Sequence, residues 1–265
     1  MTAERLASYH AYTRMHSVNW PMYYVARALL QPFFLLYLRL TRMGRDYARI
    51  RGGIIVAANH RSFLDPFVIA ACLPWRRPTN YMAKVELFER PWQGWLLSRL
   101  GAFPVRRGES DEDSMLTARM IAERGGAVCV FPEGTRIRRG TLANPKRGVG
   151  RLALETGAVV IPTAVIGTEH VRRGWRIRPR KVKVRLGPAM TFPRAEEPSP
   201  ALAETVTARI WPNVLLQWED LGGLPPMRRA AVIGAGSWGP RSPSCSPAAA
   251  SRFSWERGPR SGSRS

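Results

Sequence analysis

Between residues 50 and 190, short apolar runs alternate with amphipathic stretches, and this alternation limits the fold more than any other feature of the chain. IIVAAN (54–59), AVCVF (127–131) and VVIPTAVIG (159–167) have the length and β-branched content of buried strands. PFVIAACL (66–73), PWQGWLLSRL (91–100), SDEDSMLTARMIAER (110–124) and RGVGRLALETG (147–157) read as helices. Asp65 before Pro66 predicts an N-cap followed by a first-turn proline, and Ser110 with Asp113 a capping box. Gly101, Gly125 with Gly126, and Gly157 are the expected stops. KVKVRL (181–186) alternates basic and apolar residues, as an edge or half-exposed strand does. Strands separated by helices predict an α/β fold, with a mixed, largely parallel sheet flanked by helices over residues 50–221. Ligands in such folds gather at the carboxyl ends of strands, so residues that directly follow a strand are the first candidates for chemistry.

The flanks read differently. Residues 1–49 form an N-terminal helical segment whose core, YYVARALLQPFFLLYLRL (23–40), is apolar and aromatic but interrupted by Arg27, Gln31, Pro32 and Arg39. Its uninterrupted part is shorter than the roughly 20 residues that span a bilayer. Two readings fit: a segment lying in a membrane interface with its arginines reaching for phosphates, or a core helix kinked at Pro32. No signal peptide is evident. Residues 222–265 form a tail that beyond residue 239 is rich in Ser, Pro, Arg and Gly, a composition that predicts disorder. Within it, AAVIGAGSWG carries G-x-G-x-x-G at 234–239. Pro240 follows where a dinucleotide fingerprint needs a helix, so no nucleotide site is expected there.

The chain is strongly basic, with 41 Lys and Arg against 19 Asp and Glu, a net charge of +22. The tail beyond 239 has five arginines and one glutamate, so +18 of that charge belongs to residues 1–239. Such a surface suits anionic lipid headgroups, phosphorylated substrates or nucleic acid. No recognition helix or aromatic ribbon is evident, and nucleic acid is not the expected partner. The run RRGWRIRPRKVKVR (172–185) is either a membrane- or carrier-facing patch or a charge-guarded strand edge. Cys72 and Cys129 lie in apolar runs and read as reduced core residues, and the scattered histidines form no metal motif.

Three loops carry candidate chemistry. In AANHRSFLDPF, His60 follows a strand and Asp65 lies where a tight turn can return its carboxylate to the imidazole. That pairing would fix the ring tautomer and stabilise the imidazolium, while Asn59 and Ser62 add polar groups beside it. No G-x-S-x-G nucleophile is present, so His60 is read as a general base acting on a substrate hydroxyl. In FPEGTRIRRG (131–140), Gly134 permits a tight turn and Thr135 offers a hydroxyl. Arg136 and Arg138 could point the same way from an extended loop and grip a phosphate, and Glu133 would orient them or accept substrate hydroxyls. In GAFPVRRG (101–108), Arg106 and Arg107 leave a short strand, and one could meet the same phosphate; Lys84 is a weaker candidate.

These blocks resemble the glycerolipid acyltransferases of the 1-acylglycerol-3-phosphate acyltransferase (PlsC-like) family. NHRSFLD resembles their N-H-x-S-x-x-D block, GAFPVRR their second, FPEGTR their third and VVIP (159–162) their fourth, in the family's order. Ile137 stands where many members carry serine, and Arg106 replaces a common acidic residue. AVIGAGSWG separately resembles the opening of glycerol-3-phosphate dehydrogenases. The family resemblance implies an acyltransferase domain at 50–221 that moves a fatty acyl group from acyl-CoA or acyl carrier protein to 1-acylglycerol 3-phosphate. The product would be phosphatidic acid; glycerol 3-phosphate or another lysolipid is the alternative acceptor. It further implies His60 as base, Asp65 as its partner, Arg107 and Arg136 on the acceptor phosphate, and no metal or resident cofactor. The expected setting is the cytoplasmic face of a membrane, held peripherally or monotopically.

Overall fold

The computed structural model describes residues 2–106, 111–137, 140–173 and 175–223. Arg107, Arg138, Ser110 and the tail from residue 224, with its 228–239 fragment, lie outside the described residues.

The chain opens with helices α1 (Ala3–His16) and α2 (Trp20–Pro32), and α2 passes into a π-helical turn at Phe33–Tyr37. The strands are β1 (Thr41–Met43), β2 (Ile54–Ala58), β3 (Thr79–Lys84), β4 (Ala102–Val105), β5 (Ala127–Val130), β6 (Val159–Ile166), β7 (Arg172–Arg173), β8 (Arg176–Ile177) and β9 (Lys183–Leu186). Helices α3 (Asp65–Cys72), α4 (Pro91–Arg99), α5 (Glu112–Glu123) and α6 (Gly148–Thr156) lie between the central strands, and α7 (Pro200–Asp220) closes the domain.

Seven strands form one sheet in the order β1-β9-β6-β2-β5-β3-β4, and β7 pairs with β8 in a separate hairpin. From β6 to β4 all neighbours are parallel; only β9 runs against β6. The sheet is therefore mixed and mostly parallel, as the alternation of strand and helix patterns predicts. Its central strand is buried along its whole length, because helices cover both faces. Ile54, Val56 and Ala58 of β2 face a cluster with Val68, Ile69 and Leu73 around α3, and Ile55 and Ala57 face the opposite cluster with Leu152, Ile210 and Val214 of α6 and α7.

Pro162 sits inside β6 without breaking the sheet. Val160 exchanges two backbone bonds with Met190, while β9 pairs with Thr163–Ile166. Pro162 falls in the gap between these pairings, where its missing N–H costs no ladder bond, and its carbonyl accepts from Gly187 N at 2.7 Å.

Several boundaries differ from the sequence reading. The sheet begins before residue 50, because β1 adds to the outer side of β9. For the same reason β9 is not an edge strand, although its alternating burial matches the expected half-buried pattern. Helix α5 is capped by Asp111, whose carboxylate accepts from Ser114 N, rather than by Ser110. Arg27 turns inward instead of toward lipid: its guanidinium donates to the Leu73 and Pro74 carbonyls and lies over the Trp75 ring. Cys72 and Cys129 are free and buried, and burial pushes the Cys72 thiol up to about 12.

Candidate active site

The parallel strands present their carboxyl ends along one edge of the sheet, and each candidate loop leaves from there. Asp65 was expected to cap α3, but it makes no cap bond and opens the helix with its side chain folded back onto the preceding turn. It is fully buried. Its Oδ2 accepts from His60 Nδ1 at 2.9 Å, Arg61 N at 2.6 Å and Ser62 N at 2.7 Å. Its Oδ1 accepts from Thr168 Oγ1 at 2.6 Å. A tertiary partner has taken the carboxylate from the helix end, which sequence-local capping rules cannot anticipate.

His60 is brought together with Asp65 as the five-residue spacing predicts. With Nδ1 held, Nε2 is the nitrogen left for a substrate, and the ring stacks on Phe131 at 4.1 Å between centroids. Asn59 does not touch the imidazole. Its amide pairs with the backbone of Val165 in both directions and so extends the β2–β6 pairing by one side chain. The Ser62 hydroxyl accepts from Leu64 N and closes the turn.

The FPEGTR loop is tied to the His60 loop from below. Glu133 is buried, and its carboxylate accepts from His60 N at 2.6 Å and Ala143 N at 3.1 Å. Burial pushes its proton affinity above the usual carboxylate range, and these two backbone bonds oppose the rise. Glu133, read in the sequence as orienting the arginines or accepting substrate hydroxyls, here holds two loops together through backbone amides. Arg61 adds to the joint, donating to the carbonyls of Ile137 and Gly140 beneath the Trp218 ring, and Ile137 N donates to the His60 carbonyl.

Gly134 has φ +69°, and a Cβ there would lie 3.0 Å from Lys146 Cε, so the turn leaves room for that side chain to cross it. His60, Gly134, Lys146, Arg147 and Arg106 line one cleft of about 420 Å³. Its inner wall is apolar, made by Met82, Val105, Met115, Val130, Phe131 and Leu152. Arg151 also reaches this cleft but is engaged by Glu112 and Glu155 at 2.7 and 2.6 Å. Lys146, Arg147 and Arg106 are exposed at its rim.

Arg136 does not line this cleft. It borders a second, polar one of about 350 Å³ with Arg61, Ser62, Phe63, Thr168 and Glu169, and Thr135 is exposed. Lys84 lines neither cleft and pairs with Glu86 at 2.6 Å. Sequence reasoning missed Arg61, Lys146, Arg147 and Thr168. The signal for Thr168 was present, since it follows the carboxyl end of β6 as His60 follows β2. Among the described residues no cluster of His, Cys, Asp and Glu could hold a metal ion.

Residues 39–166 match the family model described as Acyltransferase. The chain is 32% identical over 119 residues to the chloroplastic 1-acyl-sn-glycerol-3-phosphate acyltransferase LPAT1 of Arabidopsis thaliana, covering 44% of this chain and 33% of that protein. It is 33% identical over 116 residues to the 1-acyl-sn-glycerol-3-phosphate acyltransferase of Bacillus subtilis (strain 168), covering 43% and 56%. The chain thus spans between a third and a little over half the length of these relatives. Its fold is shared with the crystal structure of the 1-acyl-sn-glycerophosphate (LPA) acyltransferase PlsC from Thermotoga maritima, with a TM-score of 0.55 at 21% identity over 84% of this chain and 97% of that one. Residues 39–166 of this chain are thus similar to the acyltransferase family model and to part of these named acyltransferases, and the likeness to the solved structure shows a shared fold.

Proposed function

We propose that the chain transfers a fatty acyl group from an acyl thioester to the free hydroxyl of 1-acylglycerol 3-phosphate, giving phosphatidic acid. The observation that carries this reading is the His60–Asp65 pair opening into a cleft that is apolar inside and cationic at its rim. 1-Acylglycerol 3-phosphate has the complementary parts, an apolar chain and an anionic phosphate, and the relatives named above carry that acceptor in their names.

The proposed steps use this geometry. Asp65 holds the proton on Nδ1, so Nε2 carries the lone pair. Nε2 removes the proton of the acceptor hydroxyl as its oxygen attacks the thioester carbonyl. The tetrahedral intermediate collapses with cleavage of the C–S bond, and the imidazolium returns its proton to the departing sulfur. Lys146, Arg147 and Arg106 draw the acceptor phosphate to the rim, helped by the N-terminus of α6, which opens into the same cleft. Phosphate capture there sets the hydroxyl within reach of the base. The donor is a co-substrate, acyl-CoA or acyl carrier protein.

Among the described residues no helix is long and apolar enough to cross a membrane. Val25, Leu29 and Leu36 are nonetheless 60%, 72% and 79% exposed along α2 and the turn after it. This face would rest peripherally on a lipid surface, with anionic headgroups answering the basic charge. The deciding experiment is an acyl-transfer assay of the purified chain in mixed micelles, with 1-acylglycerol 3-phosphate and glycerol 3-phosphate against both donors. Phosphatidic acid formation is expected; turnover of glycerol 3-phosphate alone would move the assignment to the first acylation step.

A further inference from the structure

Asp65 is held from two sides. Its own loop places every donor on Oδ2: the imidazole of His60 and the amides of Arg61 and Ser62. These contacts anchor Oδ2 but give Oδ1 no partner within the loop. The hydroxyl of Thr168 does, at 2.6 Å, from the end of a different strand. Thr168 is 1% exposed, and this distance is that of a charge-assisted hydroxyl–carboxylate bond.

The turn that carries Thr168 does not depend on this bond for its shape. Gly167 N donates to Glu169 Oε2, His170 N to the Gly167 carbonyl and Val171 N to the Thr168 carbonyl. The left-handed conformation of Gly167, φ +95°, sets its direction, and a Cβ there would fall 2.3 Å from the Lys181 carbonyl oxygen. The hydroxyl is therefore spare to the local fold and is spent on the one carboxylate that orients His60.

We infer that Thr168 is a positioning residue for the histidine base. It locks the plane of the Asp65 carboxylate so that Oδ2 stays in line with Nδ1, and it shares the carboxylate's charge when the imidazolium forms. This inference rests on the acyl-transfer reading for its kinetic consequence, but not for its structural one.

The test uses Thr168→Val, which keeps the shape and removes the donor, and Thr168→Ser, which keeps the donor. General-base catalysis is worth about 10²–10⁴-fold, so misaligning the base without removing it should lower kcat about tenfold in the valine variant. The KM values for acceptor and donor should stay within about twofold, and serine should restore most of kcat, because only the orientation of the base has changed. The second readout needs no turnover: the low-field proton signal of the His60 Nδ1–H, identified by its loss in His60→Ala, should move in the valine variant and return in the serine variant. If the valine variant does not fold, Thr168→Ala replaces it in both measurements. Unchanged kcat with an unmoved proton signal in a folded variant overturns the inference and leaves Thr168 as packing. Were the wild type to transfer no acyl group, the proposed function would fail, and the proton signal alone would still decide the role of Thr168.

Discussion

At the scale of the residue, the site is built around one buried carboxylate with four donors. Asparagine at position 65 could offer only one oxygen, so either Thr168 or the His60 side of the group would face an amide N–H₂. Leaving a buried donor unpaired costs about 1–3 kcal/mol, so Asp65→Asn should lower stability as well as activity. His60→Ala should lower activity by about 10²-fold or more and cost less stability than Asp65→Asn, because the backbone amides of Arg61 and Ser62 and the Thr168 hydroxyl still satisfy the carboxylate. Circular dichroism melting alongside initial rates separates the two, and near-wild-type turnover in the alanine variant would remove the base from the mechanism. The rim cations invite a second comparison. Lys146→Ala should raise the acceptor KM about tenfold, the worth of one charge-assisted contact, and Arg136→Ala should raise it less, since Arg136 borders the other cleft. A larger effect at Arg136 would place the phosphate there instead. His60 and Asp65 were legible because both lie in one tight turn, where sequence spacing is spatial distance. Lys146 was not, because its place across Gly134 depends on a return of the chain that no local pattern records.

At the scale of the element, the central strands announced themselves through apolar runs, and their helices through glycine stops such as Gly157 at φ +64°. The short outer strand β1 did not. Thr41–Met43 has no apolar alternation and is a strand only because β9 lies beside it. The hairpin of β7 and β8 is likewise made by its own pairing, within a stretch read only as basic. The contact between α6 and α7 was equally hidden, and it is close. A Cβ on Gly150 would sit 2.1 Å from the Ala203 carbonyl oxygen, and Gly150 N donates to Thr207 Oγ1. Gly150→Ala should therefore force the helices apart and cost about 1–3 kcal/mol, the usual range for overpacking, despite alanine's better helix propensity. A denaturant midpoint at or above that of wild type would show that α7 shifts without penalty. Because α6 opens into the His60 cleft, the same variant should also raise the acceptor KM.

At the scale of the whole molecule, two forces can bring this chain to a lipid surface, and they respond differently to salt. The net charge of +22 attracts anionic headgroups, at about 1 kcal/mol for each basic residue near the leaflet, and this attraction is screened over roughly 10 Å at 0.1 M salt. Burial of exposed apolar side chains is worth about 25 cal/mol per Å² and does not weaken with salt. Val25, Leu29 and Leu36 give the molecule the second force as well as the first. Sedimentation with anionic vesicles should accordingly fall as salt rises but level off above zero. Leu29→Asp with Leu36→Asp should remove that plateau while leaving the low-salt binding in place. The cleft lies at the carboxyl ends of the strands and contains neither residue, so the double variant should still acylate a short-chain acceptor in solution at the wild-type rate. Long-chain acceptors held in vesicles should be turned over slowly by the double variant, because it should no longer stay at their surface. Complete release of the wild type by salt alone would mean that charge holds the chain and that the apolar face stays in water.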